Sequence, residues 1–160
     1  MNETHKNNPI HFLDNKEGVA WSFLIGNLII NFGAVEFASF RWIEFLSTDD
    51  IMRDVAIDMQ LSRRFALINR LIDRSKWPDA RKSQAKQLWC EIKSLSKTRN
   101  KIAHNPIGFN DTPNGRVRGI INVKEMKGIG PYKFEPLVLE DVKVASDRLV
   151  ELAEQLHNFL

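Results

Sequence analysis

The 160-residue chain is 43% apolar and 27% charged, with a net charge of +3. That composition fits one globular domain and excludes a disordered chain. Its single cysteine, Cys90, excludes a disulfide scaffold and a four-cysteine zinc site. Residues 1–11 are polar, so no secretory signal is expected and the expected setting is the reducing cytoplasm.

The sequence predicts one domain over residues 1–160: an all-α bundle of four main helices behind an N-terminal arm at 1–17. The first helix, about 18–46, is apolar on nearly every side, through Trp21, Phe23, Leu24, Leu28, Phe32, Val35, Phe40, Trp42 and Phe45. A helix apolar all round must be covered all round. Neighbours within one small bundle cover only part of it, so a homodimer through this helix is expected. Asn27, Asn31 and Glu36 interrupt the apolar run. A membrane span needs roughly 20 mostly apolar residues and rarely holds a charge, so a bundle helix is expected and no membrane.

Thr48, with Asp49 and Asp50, is placed to cap a second helix and fill its first turn with acid. That helix is expected to reach about residue 74, with Ile51, Val55, Leu61, Phe65, Ile68 and Ile72 on its apolar side. Pro78 suits the start of a third helix, and Pro106 disfavours helical geometry at Asn105, which gives about 78–104. Residues 105–137 hold most of the glycine and proline, with a turn at Pro113-Asn114-Gly115. Val117, Ile120, Ile121 and Val123, then Tyr132 and Phe134, read as short strands of a small β-hairpin insertion. The fourth helix, about 140–160, carries Val142, Ala145, Leu149, Leu152, Leu156 and Phe159 at three- and four-residue steps.

Charge is uneven along the chain. Residues 1–62 balance at −5, residues 63–101 at +9 and residues 102–160 at −1. A basic block of this kind is a footprint for polyphosphate or nucleic acid, although a solvated helix face gives the same count. At 100° per residue, Lys82, Lys86, Lys93, Lys97 and Lys101 share a sector roughly 100° wide with Asn100 and His104. Leu88, Ile92, Leu95 and Ile102 lie opposite, and Arg99 continues that apolar side.

The third helix ends in Arg99-Asn100-Lys101-Ile102-Ala103-His104, followed by Asn105-Pro106. Spacing alone carries little, since chance supplies about 0.8 such arginine–histidine pairs in a chain of this composition. The context is more specific: an asparagine follows the arginine, the histidine ends a helix, and a lysine row leads to it. Histidine transfers protons near neutral pH, and the guanidinium fork matches phosphate oxygens. Asn100, one turn before His104, is placed to orient the imidazole or meet the phosphate. Together these residues suit attack of an RNA 2′-hydroxyl on the adjacent phosphate, with no metal or other cofactor.

The segment resembles the Arg-x4–6-His motif of the HEPN superfamily, in which the arginine is often followed by a polar residue such as Asn. The resemblance implies a small all-α protein that dimerises. It also implies a metal-independent ribonuclease of toxin–antitoxin, abortive-infection or other defence systems, with an antitoxin as a further partner. Arg99, Asn100 and His104 would be its catalytic residues, and the five lysines would bind RNA. The β-rich insertion after His104 departs from the usual pattern, and some members keep the fold without cleaving RNA.

Other readings stand beside this one. His104 could simply favour the negative end of its helix, and Arg99 could form a buried ion pair with Glu36, an isolated carboxylate on the first helix. The two roles of Arg99 are compatible, with Glu36 supporting it from behind. The alternatives for the whole chain are a catalytically inactive HEPN-like module binding a nucleotide or partner protein, and a helical oligomerisation domain. His5, His11 and His157 lack a ligand pattern, and Gly128-Ile129-Gly130-Pro131 reads as a turn. Cys90 is expected to be a buried, inert thiol. Trp21, Trp42 and Trp89 are expected in the core, with Trp77 a candidate for stacking on bases.

Overall fold

Elements follow one another as α1 (Lys16–Leu46), α2 (Asp50–Ile57), α3 (Leu61–Arg74), α4 (Asp79–His104), β1 (Ile107–Thr112), β2 (Gly115–Ile121), β3 (Phe134–Pro136) and α5 (Leu139–Phe159). The computed structural model describes residues 16–122 and 133–160. The protein is mostly helical with one small sheet. The expected arm, with His5 and His11, lies almost wholly outside the described residues, as do Val123, Tyr132 and the 128–131 segment.

The core forms where α1, α3, α4 and α5 turn their apolar sides together. Leu28, Phe32, Val35, Trp42 and Ile43 of α1 are fully buried, with Ile68 and Ile72 of α3, Ile92 of α4, and Val142, Leu149, Leu152 and Leu156 of α5. Two polar contacts fix how α5 lies along α1: Asn31 Nδ2 donates to Ser146 Oγ at 3.0 Å, and Trp42 Nε1 donates to the Leu156 carbonyl at 3.1 Å. At one end Trp42 packs edge-on to Trp89, with ring centroids 5.5 Å apart, and to Trp77, at 6.0 Å. By length and composition α1 could cross a membrane. Here one side of it is bundle core and the other is bare, with Phe23, Ile30 and Phe37 at 65, 71 and 64% exposure.

The expected second helix is two helices. Asp49, not Thr48, is the cap of α2, its side chain accepting from Ile51 N at 2.9 Å. An unbroken helix with Phe65, Ile68 and Ile72 inward would turn Ala56 outward, because residue 56 lies nearly half a turn from that side. The break at 58–60 lets Ala56 pack as well; it is fully buried, while Ile51 and Val55 are exposed rather than core.

The insertion is a three-stranded antiparallel sheet in the order β1-β2-β3, not a single hairpin. Residues 107–112 pair with 115–121 from Ile107↔Ile120 to Thr112↔Gly115, and Ile121 pairs with Phe134. Gly115 closes the turn at φ +114, where a side chain would be strained. Gly119 lets β3 approach, because a Cβ there would stand 2.3 Å from the Glu135 carbonyl. The sheet joins the helices through Arg118, which pairs with Glu17 of α1 at 2.9 Å. A further tie is at α4, where Lys101 Nζ meets Glu135 Oε2 at 2.7 Å.

Candidate active site

Arg99 follows Ile92 by seven residues and so points where that buried side chain points. It reaches α1 beside Phe32 and Glu36, which are neighbours one helical turn apart. The guanidinium lies 5.1 Å from the Phe32 ring centroid, and Nη2 stands 3.7 Å from Glu36 Oε1. Nη1 donates to Asn100 Oδ1 at 3.0 Å. The pair is not deep in the interior, as a fully apolar setting would require: the side chains are 24% and 33% exposed. Asn100 is engaged by Arg99 and not by the imidazole.

This pair sits in the wall of a cleft of about 860 Å³. The cleft is bounded by Glu36 of α1, the α2–α3 corner, and the last three turns of α4, including Lys93, Lys97, Arg99, Lys101 and His104. His104 is exposed in the last turn of α4 and makes no hydrogen bond or ion pair among the described residues. The sheet holds this end of α4 in place. Asn105 Nδ2 caps it by donating to the Lys101 carbonyl at 2.8 Å, and Ile121 N donates to the Pro106 carbonyl at 2.9 Å. The Lys101 ammonium holds the Glu135 carboxyl below the usual carboxylate range.

The five-lysine row divides. Lys93, Lys97 and Lys101 line the cleft. Lys82 donates to the Asp73 carbonyl at 3.1 Å and Lys86 pairs with the Asp73 carboxylate, both away from the cleft. Trp77 is no base-stacking platform there. It packs among Trp42, Phe45 and Phe159, with the Arg81 guanidinium 4.5 Å from its ring. Cys90 is exposed, not buried. Eight residues past Lys82, it falls inside the lysine sector and therefore on the outer face.

Sequence reasoning missed Arg64. This arginine of α3 is only 6% exposed and lines the same cleft. Its Nη1 donates to Ser39 Oγ at 3.0 Å and weakly to the Glu36 carbonyl at 3.4 Å, and its guanidinium lies 4.1 Å from the Phe40 ring centroid. Burial lowers its pKa from the usual arginine value, with the Glu36 charge opposing that shift. The signal was present: Arg64 sits at the edge of the Leu61–Ile68 apolar side, as Arg99 does on α4. No family model, curated protein or solved structure matches the chain.

Proposed function

We propose that the protein is a metal-independent endoribonuclease of HEPN type, cutting RNA at a cleft completed by a second copy of the chain. A role in toxin–antitoxin or phage defence, with an antitoxin partner, belongs to the same reading. The observation that carries it is the common opening of Arg99 and His104 onto a cleft rimmed by Lys93 and Lys97. Arg99 meets the scissile phosphate and stabilises its growing charge, with Glu36 and Asn100 fixing the guanidinium. His104 moves a proton to or from the 2′-hydroxyl or the leaving oxygen.

The bare side of α1 supports the second copy. Val19, Phe23, Ile30 and Phe37 recur at four- and seven-residue steps along it. Gly26 and Gly33 lie between them, and a Cβ at either would meet nothing within 4 Å. A self-complementary seam of this kind suits a two-fold dimer. Light scattering at micromolar concentration should give twice the chain mass, and Ile30→Glu should give the monomer and lose cleavage.

The defining experiment is RNA cleavage by wild type, Arg99→Ala and His104→Ala. Either substitution should lower the rate by about 10²–10⁴ while RNA binding survives. Products should end in a 2′,3′-cyclic phosphate and form in the presence of chelator. One observation favours the inactive nucleotide-binding module instead: no partner among the described residues fixes the His104 tautomer. Nucleotide binding without cleavage by wild type would establish that module.

A further inference from the structure

The amino end of α3 is built against the usual electrostatic rule. Acidic side chains are favoured in a helix's first turn, where the dipole is positive. The first turn of α3 holds no acid and contains Arg63 and Arg64. Gln60, at the cap position, makes no side-chain cap bond. The Gln60 carbonyl serves Arg63 N and Arg64 N, while Leu61 and Ser62 precede any possible intrahelical acceptor for their N–H groups. Met59, Gln60, Leu61 and Ser62 all line the cleft.

Arg64 is buried beside this helix end. Its Nε is fully buried and has no hydrogen-bond partner among the described residues. Arg99 Nε is orphaned in the same way. An unpaired buried donor on a charged group costs more than a neutral one. Glu36 is the carboxylate shared by both arginines, through its ion pair with Arg99 and its charge acting on Arg64. Two guanidiniums against one carboxylate leave an excess positive charge in the cleft wall, and the α3 dipole adds to it. Arg64 lines the cleft together with Leu61 and Ser62, so a phosphate there would meet its guanidinium charge and the free backbone N–H groups together.

We propose that Arg64 and the amino end of α3 form a phosphate-binding subsite, holding a phosphate next to the one that Arg99 meets. The proposal rests on the ribonuclease reading only for the owner of that phosphate, an RNA backbone rather than a nucleotide. It makes Arg64 a substrate-binding residue and Ser62 its exposed neighbour at the subsite.

The test uses full-length protein carrying His104→Ala, so that RNA is bound without being cut. A labelled single-stranded RNA is titrated over a range of salt, and ATP is titrated in parallel. Arg64→Met keeps the packing over Phe40 and removes the charge. Ser62→Asp places a carboxylate where the phosphate would sit, at a position that favours the helix itself. Each should weaken RNA binding about tenfold and flatten the salt dependence by about 0.7 log units per log unit of salt. Ser62→Asp should retain or raise the melting temperature, which a merely structural role would not combine with lost affinity. Ser83→Asp, with the same charge change on an exposed part of α4 outside the cleft, should do neither.

RNA binding by Ser62→Asp equal to that of Ser83→Asp would overturn the subsite, whatever Arg64→Met does to folding. Failure to bind either RNA or ATP would overturn it too. If the parent binds ATP but not RNA, and both cleft variants lose ATP, the subsite stands and the ribonuclease reading falls.

Discussion

The two halves of α4 carry lysines at the same spacing and end in opposite states. Lys82 and Lys86 pack beside the last turn of α3, where the Asp73 carbonyl and carboxylate take up both ammonium groups. Lys93 and Lys97 continue the same sector, yet neither ammonium has a partner among the described residues, and both face the cleft. The difference lies in α3, which presents Asp73 near its carboxyl end and Arg63 and Arg64 at its amino end. A lysine row on one helix therefore fixes a direction, and the neighbouring helix decides which of its charges remain available to a ligand.

The largest effect should separate those halves directly. In the His104→Ala background, Lys93→Ala with Lys97→Ala removes two ammonium groups of the cleft, each of which the proposed function sets against a phosphate. The salt dependence of single-stranded RNA binding should flatten by about 1.4, which is roughly 25-fold in affinity at 0.1 M salt. Lys82→Ala with Lys86→Ala removes the same formal charge and should cost less than about threefold, because those contacts are already made within the protein. Equal losses from the two double variants would mean that RNA runs along the whole of α4, and the cleft would lose its special place.

The helices were legible because their signals are local. Pro78 and Pro106 bracket α4, and three- and four-residue apolar steps trace α5 almost to the residue. The Arg99–His104 segment and its Glu36 partner could be read for the same reason: an arginine and a carboxylate on apolar helix sides each need a counterpart. What was hidden depends on contact between elements. The break at 58–60 carries no glycine or proline, and it exists because Ala56 and the Phe65–Ile72 side face inward from incompatible helical phases. First-strand residues 107–112 were missed because Gly108, Asn110 and Asp111 are poor strand formers, paired here by β2. The roles of Asp73 and Glu135 in engaging lysines likewise follow from packing alone.

A smaller effect should come from Glu36, which joins the two arginines of the cleft. Glu36→Ala leaves Arg64 and Arg99 without their shared carboxylate. The Arg99 pair is about a quarter to a third exposed, so its loss should fall between a surface and a buried ion pair, at about 1–2 kcal/mol. That corresponds to a melting temperature lower by roughly 2–8 °C. The same variant should bind RNA more tightly, because it removes a competing negative charge, and cleave it more slowly, because Arg99 loses its anchor. Thermal unfolding, binding and cleavage measured on one preparation would check all three. Unchanged stability and unchanged cleavage would leave Glu36 without a role in holding Arg99.

The smallest effect should arise on another side of α4, where the charges are satisfied. Arg148 of α5 forks onto Glu91, with Nε and Nη2 donating at 2.6 and 2.9 Å, and it also pairs with Glu151. The hydrogen bonds from Arg148 hold the Glu91 carboxyl below the usual carboxylate range, against a smaller opposing effect of burial. Because the folded-state pKa is the lower one, the pair stabilises the fold fully above the unfolded value of about 4.3. That stabilisation fades as pH falls from there through the folded value. Both side chains are more than a third exposed, so water screens the pair and its contribution should stay within about 1 kcal/mol. Glu91→Gln should therefore lower the melting temperature by a few degrees or less at pH 7 and by still less near pH 3. RNA binding and cleavage should match wild type, since neither partner lines the cleft. A loss of cleavage in Glu91→Gln at unchanged stability would mean that the α4–α5 contact controls His104 from a distance, and the separation between the satisfied and unsatisfied sides of α4 would fail.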